Sequence, residues 1–294
     1  MVKQSFGDRV FDAVNMALLV LVLVIVLYPL LFVLSASVSD PEAVVRGEVW
    51  LWPKDVTLSG YRKVLQNQDI LTGYWNTVVY TATGTAINLA MTVAAAYPLS
   101  RKHFYGRNVI TALFVFTMFF SGGLIPTYLV VRSLGMINTL WAMVIPNAVA
   151  IWNIIIMRTF FQQSIPEEIQ EAARMDGCSN IQSLIRIVLP LSLPILAVMT
   201  LFYSVGHWNA FFNALIYLTD RSKYPLQLIL REILIQSNMQ NMVEISEESL
   251  VKALMEAETI KYAVVIVANL PVLLLYPFLQ RYFVKGIVIG AIKG

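Results

Sequence analysis

The sequence predicts an all-α transmembrane protein of six spans with one helical loop on the cytoplasmic face. Three observations predict it. First, 58% of the 294 residues are hydrophobic and only 13% are charged, where a soluble globular domain carries about 25% charged residues. Mean hydropathy is +0.69. Second, a bilayer-spanning helix needs about 20 mostly apolar residues, and six segments approach or exceed that length without any Asp, Glu, Lys or Arg. Third, between the fourth and fifth of these segments lies a polar stretch with helix caps at both ends of a glycine turn. The chain is read as a single transmembrane domain, 1–294.

The spans are Ala13–Leu34, Asn76–Tyr97, Val109–Val131, Leu140–Met157, Leu191–Leu218 and Tyr262–Leu279. The first is longer than the roughly 7–15 apolar residues of a signal-peptide core, and no small-residue cleavage site follows, so it reads as a retained span. Trp50, Trp52 and Trp75 flank the second span, as interfacial aromatics do. The fifth contains His207, and Pro194 and Gly206 are its expected bend points. Gly122–Gly123, ahead of Pro126, mark a kink in the third.

Lys and Arg concentrate in loops on the cytoplasmic side. The Pro98–Asn108 loop holds Arg101, Lys102 and Arg107, whereas the loop from Arg132 to Asn138 holds Arg132 alone. The segment after the last span has Arg281, Lys285 and Lys293, and the two long loops carry more acids than bases. Both termini and the Pro98–Asn108 loop are therefore expected in the cytoplasm.

Several function classes drop out. A net charge of +3 without a basic stripe gives no footprint for nucleic acid. The single Cys178 excludes an intrachain disulfide and a cysteine metal cage, and His103 and His207 are too far apart for a zinc motif. No phosphate-binding GxxxxGK[ST] loop occurs, so this sequence has no such machinery for ATP hydrolysis. Neither a metal nor a cofactor is expected on the chain, and it is not expected to be an enzyme.

The informative stretch is SIPEEIQEAARMDGCSNIQSLIRIVLPLSLP, Ser164 to Pro194. Ser164 with Glu167 has the capping-box spacing. Pro166 suits a first helical turn, and Glu167, Glu168 and Glu171 complement the positive end of the helix dipole. The helix is expected to run to about Asp176. Gly177 supplies the left-handed residue that commonly stops a helix. Ser179 or Asn180 can then cap a second helix ending before Pro190.

This segment resembles the EAA loop of ATP-driven (ABC-type) importer permeases at Glu171, Ala172, Ala173, Asp176, Gly177, Ile187, Leu189 and Pro190. Cys178 stands where that pattern has Ala, and Leu184 where it has Phe. HWNAFFNAL (His207–Leu215) and QRYFVKGIVIGAIKG (Gln280–Gly294) resemble sugar-importer permeases of the maltose-permease class. The IKG end and the Thr219–Lys261 loop resemble the LplC/YtcP branch, whose members serve complex oligosaccharides.

The resemblance implies a six-span type I importer permease of the bacterial cytoplasmic membrane, with the 164–190 loop as a coupling helix docked on a separate ATPase. Implied partners are a second similar permease, two ATPase subunits holding ATP and Mg, and an extracellular sugar-binding lipoprotein, with an oligosaccharide as substrate. On the residues themselves, Glu171 offers a charge to the ATPase, Ala172 and Ala173 allow close approach, and Gly177 sets the turn.

Sugars are held by aromatic faces and by amide and hydroxyl groups. In the fifth segment Tyr203, Trp208, Asn209 and Asn213 are candidates, and in the fourth Asn147, Trp152 and Asn153. Asn209 and Asn213, four residues apart, are expected to share a helix face with Trp208 at its edge. Helix–helix hydrogen bonding competes as an explanation for each Asn. His207 reads as a satisfied hydrogen-bonding residue, and Asn88 as a packing one. A secondary transporter would usually retain ionisable groups in its spans, which disfavours that class; an importer for a non-sugar solute stays open.

Overall fold

The computed structural model describes residues 5–240, 260–274 and 277. Among the described residues the regular structure is entirely helical, and it clusters into two units, one of residues 1–71 and 230–269, the other of 72–229 and 270–294.

In the first unit, α1 (Phe6–Ser37) starts at Ser5, whose side chain and Asp8 form a capping box. At about 1.5 Å per residue its 32 residues exceed a bilayer's hydrocarbon thickness. Its apolar residues are exposed all round from Phe6 to Leu31; a helix that is apolar all round requires lipid or another chain around it. After α1 come α2 (Pro41–Val45), capped by Asp40, and α3 (Ser59–Gln66). Their connection is clipped to the end of α1: Ser35 Oγ donates to Leu51 O at 2.6 Å, and Ser37 Oγ meets the Tyr61 hydroxyl at 2.8 Å. The apolar helix Ile260–Leu274 supplies Tyr262, which packs edge-to-face on Phe32. Trp50 and Trp52 stand 70% and 83% exposed.

The second unit is built on α4 (Gln68–Ser100), a second helix long and apolar enough to span. α5 (Arg107–Phe119) and α6 (Leu124–Ser133) follow, then α7 (Leu140–Val144) with a 3-10 turn Ile145–Asn147, and α8 (Ile151–Ser164). α9 (Glu167–Met175) precedes α10 (Asn180–Ser183), which runs through a π segment, Leu184–Val188, into α11 (Leu189–Leu191). α12 (Leu193–Trp208), α13 (Phe212–Tyr217) and α14 (Leu226–Gln240) complete the order. The core joins Ala96 and Leu99 of α4, Ile154, Met157 and Phe161 of α8, and Ile195, Met199 and Tyr203 of α12. Gly73 lets α4 approach the start of α14: a Cβ there would collide with Ile229.

Three expected spans are not straight helices. α5 and α6 meet at 112° across Phe120–Gly123, where Gly123 has φ +82°. The α7 segment and α8 meet at 55°, because Pro146 lacks the N–H that would continue the ladder. The expected Leu191–Leu218 span begins with an 82° bend at Ser192, ahead of Pro194, and α12 ends at Trp208. Gly206 remains helical within α12. The Tyr262–Leu279 span falls partly outside the described residues, as do the C-terminal residues Gln280–Gly294.

Candidate coupling loop and translocation path

α9 forms much as its sequence dictates, with one correction. Ser164 does not cap it. α8 continues through Ser164, because Phe161 and Ile165, 1% and 2% exposed, hold that end of the chain in the core. The chain then turns at extended Ile165 and Pro166, and Pro166 takes the cap position without a side-chain bond. Glu167 and Glu168 occupy the first turn, favourable for the dipole, and Arg174 the last. Asp176 ends the helix and Gly177 follows at φ +78°. Ser179 then caps α10 through a full capping box with Gln182. The second helix does not stop before Pro190: the π segment carries it to Leu191.

Glu171, Ala172, Asp176 and Gly177 are exposed on this loop, and Ala173 is 5% exposed on its inner face. Leu189 is half-buried and Pro190 exposed. Met175, Ile181 and Ile185 stand 88%, 70% and 58% exposed. Apolar side chains so displayed beside a row of acids give the loop an uncovered, mixed surface of the kind a partner protein covers.

Sequence reasoning missed what holds α9 in place. Lys102 Nζ lies 2.6 Å from Glu167 Oε2, and His103 lies 3.9 Å from the same carboxylate. The hydrogen bond to Lys102 holds the Glu167 carboxyl below its usual range, and the same bond raises the Lys102 ammonium above its own. Tyr97 Oη donates to Asn180 O at 3.1 Å, and Arg101 stacks on the Tyr97 ring at 4.3 Å. A cleft of about 530 Å³ opens between α9 and the Ser100–Arg107 turn. The clustering of Arg101, Lys102 and His103 was visible in the sequence; that Glu167 is what it meets was not.

The candidate path residues fall into different environments. Tyr203 is buried, its hydroxyl 2.6 Å from that of Thr92. Trp208 is 4% exposed and packs edge-on against Tyr74 at 5.6 Å, so its ring face is not open in this conformation. Asn209 is exposed; its amide donates to Val205 O, and Gln227 Nε2 donates to its Oδ1 at 3.3 Å. Asn209 and Asn213 do not share a helix face, since α12 ends at Trp208 and Asn213 belongs to α13. Asn147 and Trp152 are exposed on either side of the break between α7 and α8, while Asn153 is buried at 8%.

Between these lies a polar seam. Thr85 Oγ1 is 3.3 Å from Ser204 Oγ, and Asn88 Oδ1 is 2.6 Å from His207 Nε2. The signal for it is a stripe of Thr77, Thr81, Thr85, Asn88 and Thr92 at helical spacing on an otherwise apolar segment. His207 is a satisfied hydrogen-bonding residue, as its sequence context suggests.

Long apolar helices, broken helix pairs and an exposed loop helix define a polytopic membrane protein of the type I permease class. The chain belongs to the family described as the binding-protein-dependent transport system inner membrane component, whose model matches residues 86–289. It is 42% identical over 288 residues to protein LplC of Bacillus subtilis (strain 168), covering 98% of this chain and 96% of that protein. It is 41% identical over 288 residues to the polygalacturonan/rhamnogalacturonan transport system permease protein YtcP of the same organism, covering 98% and 99%. The resemblance to that branch is thus borne out. Among solved structures, a bacterial ABC transporter involved in import of the acidic polysaccharide alginate contains a chain that superposes with a TM-score of 0.87 at 35% identity, covering 96% of this chain and all of that one.

Proposed function

We propose that this chain is one permease subunit of an ATP-driven, binding-protein-dependent importer in the bacterial cytoplasmic membrane, and that its cargo is an oligosaccharide. The observation that carries the coupling role is α9: a short helix tethered at its first turn, stopped by a left-handed glycine, with Glu171, Ala172 and Met175 exposed along it. That surface receives a separate ATPase, which holds ATP and Mg. Closure of two such ATPases on nucleotide moves α9, and the continuous α10–α11 segment, leading through Leu189 and Pro190 into α12, passes the movement to the membrane helices. A second, similar permease completes the path, and an extracellular binding lipoprotein delivers the sugar. The chain crosses the membrane six times with both termini in the cytoplasm.

The oligosaccharide reading rests on the likeness to the polygalacturonan/rhamnogalacturonan permease YtcP and to the alginate transporter. It also rests on the exposed amides of Asn147 and Asn209 and the half-buried amide of Asn213, with exposed Trp152. Tyr203, Asn153 and Trp208 support that lining from behind in the present conformation.

The test is made on the co-expressed complex. Glu171→Lys reverses the charge α9 offers, and Gly177→Pro cannot adopt positive φ. Both variants should insert normally, lose co-purification of the ATPase and lose uptake of labelled oligogalacturonide or alginate oligosaccharide. Undiminished ATPase capture and uptake in both would reject the coupling role. Uptake of a non-sugar solute alone would reject the cargo.

A further inference from the structure

We propose that His207 is a positioning residue: through Asn88 it pins the non-helical break between α7 and α8, and so fixes the wall of the transport path that Asn147 and Trp152 form. The proposal rests on the permease reading above, but its central geometry does not.

Pro146 and the turn at Ile145–Asn147 interrupt the helix, and α8 begins at Ile151 with Ala150 as its cap. In a continuous helix the Asn147 carbonyl would accept from Ile151 N–H. Here it accepts instead from Asn88 Nδ2 at 2.6 Å. At membrane depth non-helical backbone persists only where protein or a water-lined cavity satisfies it, and a protein partner, unlike water, also fixes its direction. Asn88, 1% exposed on α4, supplies that partner.

The orientation of Asn88 follows from chemistry. A carbonyl can only accept, so the atom facing Asn147 O is the amide nitrogen, and the atom facing His207 is Oδ1. Oδ1 in turn only accepts. His207 Nε2 therefore carries a proton and donates at 2.6 Å. Without His207, the Asn88 amide could rotate and leave the Asn147 carbonyl unpaired. One turn along, Thr92 meets Tyr203 as Asn88 meets His207, so α4 and α12 are fastened at two successive turns. A second, independent feature shows that the site is built for the ring: Gly84 lies one turn before Asn88, and a Cβ on it would collide with the imidazole.

The test uses the full chain with His207→Leu, His207→Gln and Gly84→Ala. Hydrogen exchange is read in membrane nanodiscs, which needs no working transport. In His207→Leu and Gly84→Ala, amide exchange at Ala148 and Ile154, whose N–H groups bond Ile145 O and Ala150 O on either side of the break, should rise about two- to tenfold as the break loosens. His207→Gln, whose amide can still donate, should restore slow exchange. In the assembled transporter, His207→Leu should raise the KM for sugar by a similar factor with kcat retained, the signature of weakened uniform binding; a general loss of structure would instead lower kcat. Unchanged exchange in His207→Leu overturns the proposal, as does His207→Gln behaving like His207→Leu. A fall in kcat without change in KM also overturns it. If the wild-type complex takes up no solute, the permease reading fails while the exchange result still decides the pin.

Discussion

At the residue scale, the turn after α9 shows how one backbone angle supports a function. Gly177 has φ +78° with no atom within 4 Å of where a Cβ would stand. Space does not forbid a side chain there; conformation does. An L-residue in the left-handed region costs about 1–2 kcal/mol, with Asn tolerated best. Gly177→Asn should therefore transport close to wild type, Gly177→Ala less well, and Gly177→Pro not at all, as read by initial uptake rates at equal membrane levels. Equal rates for all three would mean that the turn has no part in transport. Asn209→Ala tests the path side. It removes the bonds to Val205 O and Gln227 at an exposed position, so it should lower sugar affinity by up to about tenfold while the complex still assembles. Failure to assemble would make Asn209 a structural contact and remove it from the path.

These residues also mark how far the sequence could be read. Gly177, Ser179 and the acids of α9 were legible because helix ends are decided by local chemistry within three or four residues. Ser164 was not, because its role depends on whether the helix before it stops, and that is settled by Phe161 and Ile165 entering a core built from distant segments. Asn209 and Asn213 misled for the same reason: spacing of four implies one face only if the helix continues between them.

At the element scale, α9 is held by a tether whose strength is electrostatic and exposed. The Lys102–Glu167 pair joins the α4–α5 turn to the first turn of α9. Glu167 is depressed, so its contribution is present above the ordinary carboxylate pKa and is lost as pH falls through the lower folded value. Lys102 is raised, so its contribution is present below the ordinary lysine pKa and is lost as pH rises through the higher folded value. The tether is intact across the neutral range and opens at both extremes. Salt near 1 M, where the screening length is about 3 Å, should weaken it at any pH. Lys102→Met should speed hydrogen exchange in α9 at neutral pH and low salt, and 1 M salt should narrow the difference from wild type. A difference that is independent of salt would assign the effect to packing by the lysine stem.

The helix breaks belong to this scale as well, and they were the least legible part of the fold. A hydropathy window registers how apolar a segment is, not its direction. Val109–Val131 reads as one span, and only Gly122–Gly123 hints at the 112° corner between α5 and α6. At Ser192 the signal is weaker still, since Pro194 sits within the first turn of α12, where proline is compatible with a helix.

At the scale of the whole molecule, these corners make topology a question of parity. Lys102 precedes α5, and Ser222 follows α13. Between them lie the three bent pairs, α5–α6, α7–α8 and α10–α12. If each pair crosses the bilayer once, the crossings number three, and Lys102 and Ser222 face opposite sides. If the α5–α6 corner instead re-enters the side it came from, two crossings remain and both residues face the same side. Charge supports three crossings: Arg101, Lys102 and Arg107 cluster at the start of α5, while Arg132 stands alone in the last turn of α6. The experiment places single cysteines at Lys102, Arg132 and Ser222 in a chain whose Cys178 is replaced by serine, and labels intact cells with a membrane-impermeant maleimide. Ser222→Cys and Arg132→Cys should react from outside, and Lys102→Cys only after the membrane is opened. Protection of Arg132→Cys together with Ser222→Cys would make α5–α6 re-entrant and reduce the six spans to five. Protection of Ser222→Cys alone would locate the re-entrant element between Arg132 and Ser222, in α7–α8 or α10–α12. The first case would conflict with the Lys102–Glu167 bond, and so would re-entry of α7–α8 in the second, because a single crossing between Lys102 and α9 would put them on opposite sides; re-entry of α10–α12, which follows α9, would leave both on the cytoplasmic side.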